Sequence, residues 1–66
     1  MLPHQERVLK EKEELNEKLL KLKVFINKSN DFLSLDASER NRLLNQMNVM
    51  GEYSRILGER IAAFTK

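Results

Sequence analysis

The chain contains no cysteine, a single histidine, a single proline, two glycines and four aromatic residues among 66. Each scarcity excludes something. Without cysteine no disulfide can staple the fold, and His4 alone cannot build a structural zinc site without thiolates. A domain this short buries a small fraction of its surface and usually needs such a staple. Association with further copies is the common device that remains. No apolar run approaches the ~20 residues needed to span a bilayer. Met1-Leu2-Pro3-His4-Gln5-Glu6 lacks the basic and apolar regions of a signal peptide, so a cytoplasmic location is expected.

Charge is plentiful but nearly balanced, with 12 basic against 10 acidic residues and a net charge of +2. That argues against a binder of long nucleic acid, which carries a denser basic stripe. Catalytic constellations are missing too. There is no cysteine nucleophile, histidine pair, glycine-rich phosphate loop or HExxH motif. Adjacent carboxylates such as Glu13 and Glu14 read as a solvated helix face rather than an acid/base pair. The expectation is a protein that is not an enzyme and uses no cofactor.

What is present is helical periodicity. Nothing breaks a helix from about residue 5 to 27. Val8, Lys12, Leu15, Leu19, Leu22 and Ile26 form one seam, with Lys12 its polar member. Opposite charges at a spacing of four (Glu6/Lys10, Arg7/Glu11, Glu14/Lys18, Glu17/Lys21) suit the solvent side. Lys28-Ser29-Asn30-Asp31 reads as a turn, and Phe32, Leu33 and Leu35 as an apolar plug in a short connection. Asp36, with Glu39 three residues on, has the signature of a capping box. A second helix over about 37–64 carries the seam Leu43, Met47, Met50, Ser54, Leu57, Ile61 and Phe64. Laid antiparallel, the seams match: Ile26 with Leu43, Leu22 with Met47, Leu19 with Met50, Leu15 with Ser54, Val8 with Ile61. The expected fold is all-α, an antiparallel two-helix hairpin forming a single domain over 1–66.

Leu9, Leu20, Val24 and Phe25 on the first helix lie off the seam, as do Leu44, Val49, Tyr53 and Ile56 on the second. One hairpin cannot bury them all. They are either ordinary half-exposed residues or a second stripe for an intermolecular interface. A lone helical hairpin is poorly stable, which favours a homo-oligomeric bundle. Gly51, Ser54, Gly58 and Ala62 form a small-residue strip. It is either a place for close approach of a ligand or backbone, or tolerated glycine without a role. Around this strip, His4, Arg7, Lys10 and Lys12 come to the same end of the hairpin as Tyr53, Arg55 and Arg60. Arginine offers a planar fork to phosphate, and Tyr and His offer ring faces to a base. Taken singly, each also fits an ordinary surface ion pair or an interface ring.

The pattern Glu6-Arg7-Val8, Glu11, Glu14-Leu15, Lys18-Leu19, Leu22, Phe25-Ile26, Phe32, Leu35, Leu43-Leu44, Gln46, Met50, Tyr53, Ile56-Leu57, Arg60-Ile61 spans nearly the whole chain. It resembles a family of short helical-hairpin proteins of crAss-like and other tailed phages, similar in architecture to the anti-CBASS and anti-Thoeris sponges. The resemblance implies phage counter-defence: a homo-oligomer that sequesters cyclic di- or trinucleotide immune signals without cleaving them. By chemical type it implies ligand contacts from Arg7, Gln46, Tyr53 and Arg60. Many members of that family carry an aromatic near position 4. Here the position departs from that pattern and holds His4, which can stack, or bind phosphate when charged. The competing expectation is a coiled-coil interaction module that docks its apolar stripe on a host or phage protein.

Overall fold

The computed structural model describes residues 1–65. The first helix, α1 (Pro3–Lys28), and the last, α3 (Ala37–Ala62), have 26 residues each and pack antiparallel. At about 1.5 Å per residue each is ~39 Å long, in keeping with a rod of 47 × 15 × 14 Å.

α1 begins two residues earlier than its periodicity predicts. Pro3 at the first helical position costs no hydrogen bond there and presets the backbone. The Gln5 side chain reaches back to accept from the Leu2 N–H at 3.0 Å, satisfying a donor outside the helix. The expected turn contains one more helical element, α2 (Asn30–Ser34). Ser29 serves both ends. Its N–H closes α1 onto the Phe25 carbonyl at 3.2 Å, while its Oγ accepts from the Asp31 N–H at 3.1 Å and caps α2. The Ser34 hydroxyl then donates to the Asp31 carbonyl. Phe32 is buried and meets the Phe25 ring edge-on, centroids 6.1 Å apart at 87°. That contact plugs the closed end of the hairpin, and it draws Phe25 out of the set of off-seam apolar residues.

Asp36 caps α3 as expected, its Oδ1 accepting from the Glu39 N–H at 2.8 Å. The reciprocal half of the box is absent, because the Glu39 carboxylate turns forward to Arg42 at 2.8 Å. At its far end α3 tightens into a 3-10 turn over Ala63–Thr65. Phe64 still packs on the cluster of Val8, Leu15 and Leu57. The ion pairs expected on α1 do not close to within 4 Å. Among the described residues the ion pairs lie on α3, where Arg42 meets Glu39 and Arg55 meets both Glu52 and Glu59.

Every predicted seam position is buried or half-buried, from Val8 through Phe64. The centre is small. Val8, Leu15, Leu19, Phe32 and Leu57 are its buried apolar residues, and Leu57, at 0% exposure, is its tightest point. Leu57→Ala should therefore cost about 2–5 kcal/mol through a cavity, more than the ~0.5–2 kcal/mol expected for loss of the Asp36 cap in Asp36→Ala. Gly51→Ala should stabilise by about 0.5–1 kcal/mol, since an added Cβ meets nothing within 4 Å. Thermal melts at one fixed protein concentration check all three. A cap variant that melts below Leu57→Ala would contradict this placement of the core.

Candidate functional site

The seam contains one polar lock. Lys12 comes across from α1, and its ammonium donates to the Ser54 carbonyl at 2.7 Å and to the Ser54 Oγ at 2.9 Å. The Ser54 hydroxyl in turn donates to the Asn16 Oδ1 at 2.6 Å. Lys12 and Asn16 thus bracket Ser54 from either side of Leu15, which is the register the matched seams predict. A helical carbonyl points along the axis toward the residue four positions on, so a cation reaching the Ser54 carbonyl must pass over residue 58. That residue is Gly58, and a Cβ there would stand 3.4 Å from the Lys12 Nζ. That is ordinary van der Waals contact, so Gly58 lies under Lys12 without being required there, while Gly51 faces open space.

This lock also orients the two faces of the hairpin. Residues two apart on an α-helix stand about 200° apart around its axis. Tyr53 and Ile56 therefore lie on the side of α3 away from Gly51 and Gly58. Arg7, nine residues before Asn16, stands about half a rotation from it. The expectation that the basic and aromatic groups flank the glycine strip holds for Lys12 and, by rotation, Arg55, and is corrected for the rest: Arg7, Tyr53 and Arg60 belong to the other face.

On that second face the structure brings some of the predicted residues together and separates others. His4 and Arg7 near the start of α1 share the open end of the hairpin with Arg60 near the end of α3. All three are exposed, and among the described residues Arg7 and Arg60 make no ion pair. Tyr53 and Gln46 lie one and two heptads back along α3, about 10 and 20 Å from Arg60. Gln46 leans along its own helix, its amide directed at the Met50 sulfur at 3.8 Å. Arg55 is already occupied by Glu52 and Glu59. The Glu52 carboxyl is held below its ordinary value by the Arg55 guanidinium, and Arg55 is raised in return, both fully exposed. This link is complete above the ordinary carboxylate range and is lost as acid protonates Glu52.

A shallow concavity of about 230 Å³ lies at the other end of the molecule, lined by Phe32, Ala37, Arg40, Asn41 and Leu44. No signal in the periodicity pointed to it, because it forms where α2 meets the first turns of α3. Among the described residues no group of three His, Asp or Glu gathers as a metal site, and no helix is long and apolar enough to cross a membrane.

The family model Sequestin matches residues 2–63, from the N-cap of α1 to the end of α3. The chain belongs to the Sequestin family. No curated protein and no solved structure matches it. The Sequestin match covers both helices and the connection, so the polar lock and the exposed face lie within the family region. The family description is compatible with a sequestering role, one of binding rather than catalysis.

The lock makes a direct prediction. Ser54→Ala removes one acceptor from the half-buried Lys12 ammonium and the donor to Asn16, and should cost about 1–3 kcal/mol. Adding Lys12→Met should recover part of that loss, since it removes the half-buried ammonium that Ser54→Ala leaves short of an acceptor. Denaturant titrations of the single and double variants check this. Strictly additive losses would show that the two side chains do not act together.

Proposed function

We propose that this member of the Sequestin family is a stoichiometric trap. It sequesters a cyclic di- or trinucleotide immune signal without cleaving it, in pockets of a homo-oligomer, as a phage counter-defence protein in the host cytoplasm. The observation that carries the reading is the pair of cations at the open end. Arg7 and Arg60 come from opposite ends of the chain, stand on one face, and make no ion pair among the described residues. Two planar guanidinium forks without carboxylate partners suit a ligand with more than one phosphate. His4 beside them, and Tyr53 and Gln46 along the same face, supply ring surface and amide groups for bases. The family description is compatible with a role of holding a ligand rather than transforming it.

An exposed apolar row on α3 favours the second reading, a module that docks on another protein. Calorimetry with a panel of cyclic di- and trinucleotides separates the two. Binding is expected, with the nucleotide recovered intact on heating. Arg7→Ala or Arg60→Ala should weaken binding about tenfold or more, as loss of a charge-assisted contact implies. Arg60→Glu should do worse. Arg55→Ala should bind as the parent does, because Arg55 is held by Glu52 and Glu59. If no cyclic nucleotide binds, the sequestering reading falls and the docking module takes its place.

A further inference from the structure

The concavity at the closed end holds a cation that the fold does not use. Ala37, Arg40, Asn41 and Leu44 share one side of the first turns of α3, and the buried Phe32 of α2 completes the lining. Arg40 is half-buried there, yet its guanidinium makes no hydrogen bond and no ion pair among the described residues. The carboxylates nearest in sequence are engaged elsewhere. Asp36, four residues before, accepts from the Glu39 N–H, and Glu39 turns forward to Arg42.

Cavity and cation are complementary to one chemistry. An apolar cavity of about 150 Å³ takes up a benzene ring, so the concavity of about 230 Å³ admits a ring-sized apolar group. Arg40 supplies one planar fork, matched to a single carboxylate. Asn41 adds an amide that no described side chain engages. Arg40 lies within one helical turn of both Ala37 and Leu44, about 5 Å along the axis. The apolar group and the carboxylate must therefore stand close together on the ligand, and the last residue of a polypeptide carries both on one α-carbon. The concavity is shallow, so a small free acid would keep much of its surface in water. A longer chain extends onto the apolar rim, where Leu44 is 36% exposed and Leu33, next to Phe32, is 67% exposed.

We infer that the closed end is a separate binding site, which takes the C-terminal residue of a partner protein. An aromatic or leucine side chain enters the concavity, and the terminal carboxylate meets Arg40. The site lies at the far end of the rod from Arg7 and Arg60, and it stands or falls independently of the sequestering reading.

Titrations followed by NMR test it with three probes: the acetylated tetrapeptide alanyl-alanyl-leucyl-phenylalanine with a free carboxylate, the same peptide amidated, and N-acetylphenylalanine. The free peptide should shift the Phe32 ring and the Arg40 side chain together. The amide should bind roughly tenfold more weakly or worse, as should the free peptide to Arg40→Ala, each having lost one charge-assisted contact. Arg40→Lys keeps the charge without the fork and should fall between Arg40→Ala and the parent. Ala37→Leu should abolish the shifts by filling the concavity. Arg42→Ala, outside the lining, should leave them unchanged. Unmoved Val8 and Leu57 resonances show that each variant keeps its core. No shift at Phe32 and Arg40 up to about 5 mM peptide overturns the inference, as does an amide that binds as well as the free carboxylate. N-acetylphenylalanine binding as tightly as the peptide also overturns it, since the site then takes a free acid rather than a chain end.

Discussion

The Lys12 ammonium seated on Ser54 is the contact on which the arrangement of this hairpin depends. An apolar seam of leucine, methionine and isoleucine tolerates slippage, because one branched chain fits nearly as well as another against a helix. A cation with two short hydrogen bonds to one residue does not slip. Moving α3 by one turn would strand the ammonium over apolar side chains and leave the Ser54 hydroxyl without Asn16. Each would cost more than a single seam contact contributes. The lock adds little net stability compared with a hydrophobic pair. Its effect is to choose one register, much as a lone polar residue does in a coiled coil.

Register then determines the faces. With Lys12 over Gly58 and Asn16 on Ser54, one side of the hairpin is taken up by the lock and the small residues beneath it. The other side receives Arg7, Tyr53, Ile56 and Arg60. Neither glycine is demanded by packing within the chain: a Cβ at position 58 would make ordinary contact with Lys12, and the space above Gly51 is open.

The hairpin was legible in the sequence because its signals are local. Leucines at threes and fours, a proline at the start, and Asp36 before a long periodic run each reflect a rule that acts within one or two turns. The seam positions follow from the same periodicity, and matching two seams of equal length predicts the register that the lock selects. Three things were not legible. α2 depends on Ser29 capping in two directions at once, where the composition signals only a turn. The α1 ion pairs have the right spacing but do not form, because exposed pairs return too little energy to fix two long side chains. Assigning the basic groups to the glycine strip failed for a further reason. Position along the axis and rotation within α3, at about 100° per residue, were both in the spacing, but the side that Arg7 shares with Tyr53 and Arg60 depends on how the lock orients α1.

A two-helix hairpin has one seam, and its helices have faces to spare. Here the seam uses most of the strong apolar residues of α1, yet α3 keeps Val49, Tyr53 and Ile56 outside it in a row as regular as the seam itself. Random half-exposed residues have no reason to repeat at threes and fours. The same helix therefore reads as two seams on one cylinder, one spent on α1 and one facing outward. Affinity for a polyanion built on a few unpaired cations is weak in a single exposed rod, where water and salt screen each charge. Copies joined in a homo-oligomer, as the proposed trap requires, would set those cations beside a covered surface, where screening falls and each contact to a phosphate counts for more.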